Sequence, residues 1–310
     1  MRKKVLLSAV FLLFAAAVSM PVAAQNIIPQ PDNISLLKGQ FKLNKGTKIV
    51  TNLTGSDFKV LNQYTSEVLK HPLAYAKNPS KQGVFRLICK GTAKQAAQAM
   101  DSVRLQGYEL EVTPKGITIQ ALTPTGLFYG LQTVRQLEKD GQIACVKVKD
   151  APRFAYRGLM IDCSRHFWAK DFLKKQIDAM AYFKLDRFHW HLTDGGGWRM
   201  EVKKYPRLTD EASYRTQSDW TKWWMDNDRK YCHKNTQGAY GGYYTQEDIK
   251  DIVRYAAARH IEVIPEIEMP GHSDEVVYAY PELSCTGKPY TQSDLCVGKE
   301  ATYTFMENVL

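Results

Sequence analysis

Three short stretches of this chain gather the residue types that move protons or grip hydroxyl groups. They are Ser164-Arg165-His166-Phe167, the run His189-Trp190-His191-Leu192-Thr193-Asp194 before Gly195-Gly196-Gly197, and Pro265-Glu266-Ile267-Glu268-Met269-Pro270-Gly271-His272. The planar fork of Arg165 can donate several hydrogen bonds to vicinal hydroxyls or a carboxylate, or sit in a structural salt bridge. Strand alternation puts Phe188, Trp190 and Leu192 on one face and His189 and His191 on the other. Two histidines on one face can ligate a metal, with His272 or Asp194 as a third ligand, or form a hydrogen-bonded interior pair. The three glycines after Asp194 permit close backbone approach. In the third stretch Glu266 and Glu268 are two apart and point the same way, and Pro270-Gly271 turns the chain so that His272 returns over them. Carboxylate–histidine pairs of this kind tune pKa values and relay protons. Two acids in an otherwise apolar strand are costly to bury without purpose. Among the aromatics, Trp198 beside the glycines is the one placed for ligand contact. Trp220, Trp223 and Trp224, with Tyr240, Tyr243 and Tyr244, read as loop core.

The elements that must position these residues form a strand–helix–strand–helix–strand series after Asp150-Ala151-Pro152. Strands are expected over 159–163, 187–192 and 261–267. Helices are expected over 171–184, with Leu173, Ile177, Met180 and Ala181 on one face, from the capping box at Thr245 to about His260, and over 301–310. A long loop with room for short helices spans 193–244. The order predicts parallel strands with helical crossovers, as a barrel or an open doubly wound sheet. No GxGxxG follows the first strand, so a dinucleotide site is not indicated. The polar residues fall just after each strand, which in a barrel is the active face. Residues 25–150 read instead as a small α+β unit with strands at 47–50, 85–89, 108–112 and 116–120. The last two flank a turn at Thr113-Pro114-Lys115, and a helix follows over 126–137.

Composition narrows the class. Hydrophobic content of 44% and charged content of 24% exclude disorder, collagen and coiled coil. Residues 1–24 read as a signal peptide, with Arg2-Lys3-Lys4 before an apolar run and Val22-Ala23-Ala24 at the cleavage site, which implies a secreted or periplasmic protein. No second apolar run approaches the roughly 20 residues of a membrane span. The formal charge of +10 comes from scattered residues without a basic run, so no nucleic-acid partner is expected. The six cysteines form no CxxC pair, and Cys285 and Cys296 bracket a polar stretch that a disulfide could close in an oxidising compartment.

Taken jointly, four segments resemble glycoside hydrolase family 20, the β-N-acetylhexosaminidases. They are 156–167, then 189–194 with Gly197-Trp198-Arg199, then 201–209, and finally 265–272. Gly107-Tyr108-Glu109-Leu110 and Gly126-Leu127-Phe128-Tyr129-Gly130-Leu131-Gln132-Thr133 are similar to the family's N-terminal domain. The resemblance implies an N-terminal α+β domain (25–150) followed by a (β/α)8 TIM barrel (151–310), of which about the first three βα units are present. It implies a carbohydrate partner, no cofactor and no metal. It implies hydrolysis of terminal N-acetyl-β-D-hexosamine by a retaining route in which the substrate's own acetamido oxygen attacks the anomeric carbon. Arg165 would bind sugar hydroxyls, together with Trp198 and Glu268, and Asp194 and His272 would form a relay supporting the general acid. Glu268 stands where the family commonly has Asp, and Gly195-Gly196 where many members have Asp-Gln. The Asp-Glu pair of the fourth strand follows a His-x-Gly-Gly pattern. Neither Asp210-Glu211, in the long loop, nor Asp274-Glu275, after His272, is preceded by glycines at a strand end. Residues 151–310 also fall short of the roughly 250 that a complete barrel occupies. The expectation is a C-terminally truncated chain that is poorly soluble or inactive. The competing expectations are a metal-dependent amidohydrolase-like enzyme using His189, His191 and His272, and a glycan-binding remnant without turnover.

Overall fold

The structure is a computed structural model that describes residues 26–68, 74–76, 83–226 and 229–310. The expected signal peptide lies outside the described residues.

The first unit is built on one sheet of β1 (Asn33–Lys42), β2 (Lys48–Thr51), β3 (Ala74–Tyr75), β4 (Val84–Cys89), β5 (Tyr108–Thr113), β6 (Gly116–Ala121), β7 (Glu138–Lys139) and β8 (Gln142–Asp150). Its order is β1-β8-β5-β6-β4-β2-β3, with β7 beside β8. The β5–β6 hairpin turns where Thr113-Pro114-Lys115 predicted, with Thr113 opposite Gly116. Three helices accompany the sheet: α1 (Gly55–Val68), the short α2 (Ala93–Ala97) and α3 (Pro124–Leu137). Thr123 caps α3 by accepting from Gly126 N, and Pro124 fills its first position, where a missing N–H costs nothing. Helix α3 is buried around nearly its whole circumference, Pro124 through Val134 without a break. The reason is a second neighbour: the other unit covers the face that the sheet does not.

That second unit has three parallel strands, β9 (Gly158–Asp162), β10 (Arg187–His191) and β13 (Glu262–Glu266), with β10 in the middle. The crossovers are α4 (Lys170–Tyr182) and α7 (Gln246–Ala257). Helix α4 buries Leu173, Ile177, Met180 and Ala181, the predicted face. Helix α7 opens with the predicted capping box, since Thr245 Oγ1 accepts from Asp248 N and Asp248 Oδ2 accepts from Thr245 N. Phe188 and Trp190 of β10 enter a core that runs without interruption from Ile27 in the first unit to Ile261 in the second. The long connection after β10 holds α5 (Arg207–Asp210), β11 (Tyr214–Arg215), α6 (Trp220–Met225) and β12 (Tyr240–Gly241). Beyond β13 come α8 (Asp274–Ala279) and α9 (Glu300–Val309). These elements enclose a second, smaller core around Trp198, Leu208, Val276 and Phe305. Among the described residues β9 and β13 each have one hydrogen-bonded neighbour, and Leu159 and Met160 of β9 are exposed. No helix among the described residues is long and apolar enough to cross a membrane.

Candidate active site

Parallel register builds the site. Residue 191 on the central strand stands opposite 162 on β9 and 266 on β13, so Asp162, His191 and Glu266 form one row at the C-terminal ends of the strands. The loops that follow bring Arg165, Asp194 and His272 onto this row. Asp194 is the hub. Its Oδ2 accepts from Arg165 Nη2 at 2.6 Å and pairs with His272 Nδ1 at 2.8 Å, while its Oδ1 accepts from Gly195 N at 2.6 Å. His191 Nε2 lies 3.4 Å from the same Oδ2. Arg165 also binds Asp162 at 3.0 Å, and Asp162 Oδ1 accepts from the backbone N–H groups of Ser164 and Arg165. Asp162 was not singled out in the sequence. The signal was its position, last in the first parallel strand and three before Arg165.

The electrostatics follow from this crowding. Burial pushes the Asp194 carboxyl up, but hydrogen bonds from His191 and His272 and the Arg165 charge outweigh it and hold Asp194 below the usual carboxylate range. The hydrogen bond to Asp194 and the charge of that carboxylate raise His272 above the ordinary imidazole value. Burial lowers His191, yet Asp194, Asp162 and Glu266 more than offset that, and its net shift is upward. Asp194 and His272 therefore shift each other in opposite directions, the carboxylate down and the imidazole up, each favouring the charged form of the other.

The glycines matter for closeness rather than flexibility. A Cβ on Gly196 would sit 2.8 Å from Arg165 Cα and 2.9 Å from Ser164 O, so only glycine lets the loops after β9 and β10 touch. Gly197, at φ +149°, folds over the Arg199 guanidinium, which is fully buried and donates to Cys163 O, Ser164 O and Gly242 O. The Pro270-Gly271 turn brings His272 back over Asp194 as expected. His272 itself adopts φ +52°, a conformation uncommon for a non-glycine residue and held here by its bond to Asp194. Cys285 and Cys296 are joined in a disulfide.

Two expectations need correction. Trp198 is fully buried, donates from Nε1 to Met200 O and packs against Phe305, so it supports the second core and presents no face to a ligand. The aromatic that does stand near Arg165 is Trp220, its ring centre 5.9 Å from the guanidinium. The trio His189, His191 and His272 does not converge either. His189 Nε2 meets Glu266 Oε2 at 2.6 Å, while His272 is on Asp194. Among the described residues, the triads with ligand atoms within 4.8 Å of one another are His191–Glu266–Glu268 and Asp194–Glu268–His272, each with a single histidine. Glu268 is half-buried beside both. Its N–H donates to Thr193 Oγ1 at 2.8 Å, and its Oε1 is 4.0 Å from His191 Nε2.

Comparison with known proteins places this geometry. The description "Glycosyl hydrolase family 20, catalytic domain" matches residues 154–310, and "Glycosyl hydrolase family 20, domain 2" matches 24–151. A beta-hexosaminidase of Porphyromonas gingivalis is 34% identical over 92% of this chain and 36% of its own length. One from Akkermansia muciniphila is 40% identical over 68% of this chain and 41% of its own. The chain thus spans well under half the length of these two relatives. Among solved structures, N-acetyl-beta-hexosaminidase of Streptomyces plicatus in complex with Thio-NAglucal superposes with a TM-score of 0.73 at 32% identity. That match covers 92% of this chain and 56% of the other. The beta-N-acetylhexosaminidase of Bacteroides fragilis gives 0.74 at 30% identity, covering 92% and 53%.

Proposed function

The chain belongs to glycosyl hydrolase family 20, and from that premise we propose that it serves the removal of terminal N-acetyl-β-D-hexosamine units from glycans by a retaining, substrate-assisted route. A mutant of the Streptomyces plicatus enzyme has been solved with GlcNAc as product, which supports a sugar of this class. In this route the 2-acetamido oxygen attacks the anomeric carbon as the bond to the leaving oxygen breaks and an enzyme acid protonates that oxygen. Water then opens the bicyclic intermediate with net retention.

The observation that carries the reading is the sharing of one carboxylate oxygen, Asp194 Oδ2, by Arg165 and His272. Two of Arg165's five N–H donors are spent on Asp162 and Asp194, and its side chain is 29% exposed, which leaves donors for vicinal hydroxyls. Asp194 orients His272 and favours its protonated form, a positioning arrangement for a general acid. Glu268 borders the same cluster and is assigned to substrate binding. Export by residues 1–24 belongs to this proposal too, and the disulfide supports an oxidising destination.

The expected outcome for the 310-residue polypeptide is binding of N-acetylglucosamine without hydrolysis of an aryl N-acetyl-β-glucosaminide, since the family's Asp-Glu motif is not among these residues. Arg165→Ala should weaken that binding by about tenfold or more, and EDTA should leave it unchanged. Robust turnover would place the acid on a residue named here, and loss of binding on chelation would move the reading to a metal site.

A further inference from the structure

His272 is the least secured member of the cluster. It pairs with Asp194, yet its side chain is 63% exposed and its backbone sits at φ +52°. Packing does little to hold such a residue, so its conformation has to be imposed by its neighbours. Those neighbours, Pro270 and Ser273, are both tied to one stretch further along the chain. Ser273 N donates to Ser293 O at 2.7 Å, and Leu295 N donates to Pro270 O at 2.8 Å. Between these bonds the Asp294 carboxylate lies so close to Gly271 that a Cβ there would be 3.3 Å from Oδ1. Ser273 is fully buried, so its N–H would be stranded if residues 293–295 moved away.

Residues 293–295 are held in turn by a covalent ring. Helix α8 leads away from the turn, the chain reaches Cys285, and the return arm ends at Cys296, to which Cys285 is bonded. None of residues 285–294 is buried, and Leu295 is the first of the arm to enter the second core. An arm with so little packing has many conformations open to it. Cross-linking its ends removes most of those in which 293–295 stand off the turn. A backbone bond, Cys296 N to Leu283 O at 2.8 Å, closes the same loop, and a reduced chain has to rely on it. Cys285 is exposed and Cys296 half-buried, so a small reagent reaches the bond. The other four cysteines are free thiols, so a reductant acts on this bond alone.

We propose that the Cys285–Cys296 disulfide is a redox-controlled clamp that fixes the His272 turn over Asp194, so that the cluster is complete only in the oxidised chain. Closure is thiol–disulfide exchange with a disulfide oxidant. The two cysteine thiols give up two protons and two electrons, and the oxidant leaves as a dithiol; a dithiol reductant runs the exchange backwards. A chain bound for an oxidising compartment thereby finishes its site only where such bonds form. The consequence for sugar hydrolysis rests on the hexosaminidase reading, whereas the coupling of the disulfide to His272 does not.

Reduction of the 310-residue chain with dithiothreitol tests the clamp, with opening verified by alkylating a sample at Cys285 and Cys296. Hydrogen exchange at the Ser273 and Leu295 amides should speed up by about tenfold or more, while the β5 and β6 amides stay protected. The His272 midpoint, followed by NMR, should move down toward its ordinary value of 6.5 as Asp194 is left behind. Reoxidation should restore both. Cys285→Ala combined with Cys296→Ala should match the reduced parent with no reductant present. If that variant does not fold, the reversible cycle on the parent still decides. An unmoved midpoint and unchanged amides in the fully reduced chain overturn the clamp. Loss of protection throughout the first unit overturns it too, because the bond would then be a general staple. Binding of N-acetylglucosamine to the oxidised chain is measured alongside, and its absence overturns the hexosaminidase reading while leaving the clamp standing.

Discussion

Where the first unit meets the second, Arg157 donates to Gln106 Oε1 and Tyr129 Oη of one and to Lys184 O of the other, and its charge is met by Asp186 at 3.1 Å. Lys184 reaches Asp150 and Tyr108 in the same way, and Arg187 is flanked by Asp186 and Glu262. At the C-terminal ends of β9, β10 and β13 only Asp194 and His191 are buried as deeply, while Arg165, Glu266 and Glu268 are about 30% exposed, and the pairing is less complete. His191 Nε2 reaches Asp194 Oδ2 only at a long 3.4 Å, and close by in α8 neither oxygen of the fully buried Glu275 has a hydrogen-bond partner. At the seam Asp186 Oδ2 also lacks a well-formed hydrogen bond, yet it lies 3.1 Å from Arg157 and 3.5 Å from Arg187, so its charge is met twice over in holding the units together. The strand ends keep polar capacity unspent, at a cost in stability, as a site for chemistry must.

The sharpest way to break this contrast is at the seam. Asp186→Ala leaves Arg157 and Arg187 buried without their shared anion and should cost about 3–5 kcal/mol, read as a fall in the urea midpoint. A loss under 1 kcal/mol would mean the seam is as loosely satisfied as the site.

In α8, just beyond the His272 turn, the sign should invert. Glu275→Met removes an orphan carboxyl and should stabilise the protein by about 1–3 kcal/mol at pH 7. Burial pushes Glu275 well above its ordinary value of 4.5. A raised folded-state pKa means that its contribution is intact below 4.5 and is lost as pH rises through the folded value. Parent stability should therefore fall with rising pH across that window, and the variant should remove this part of the fall in urea titrations taken between pH 4 and 8.

The smallest effect concerns protonation rather than stability. His272 should titrate above 6.5 by NMR, and Asp194→Asn should bring its midpoint down, because the carboxylate is the main cause of the upward shift. An unmoved midpoint would remove the ion pair from the account of the site.

Much of the second unit was legible because period and chemistry agreed. The faces of α4 and β10 and the cap of α7 all follow from local pattern, and the polar residues sit just after strands. What stayed hidden depended on distant partners. Strand β1 was missed because a register shift between Leu36 and Gln40, at Gly39 with φ +98°, breaks the alternation that would mark it. Helix α1 was missed because polar residues dilute its apolar row of Phe58, Leu61 and Tyr64. Trp198 read as a ligand contact because nothing local reveals that α9 brings Phe305 against it. Asp162 became visible only when parallel register set it level with His191 and Glu266.

Helix α3 serves two masters. Its Phe128 ring rests on His260 and its Thr125 pairs with the same imidazole, while Gln136 reaches Tyr182 O and Tyr129 receives Arg157. The break in the sequence near Asp150 is therefore no line of weakness. A chimera that grafts a relative's first unit onto this barrel segment must bring partners for His260, Arg157 and Tyr182 with it, or the graft will carry a helix dressed for a neighbour that is no longer there.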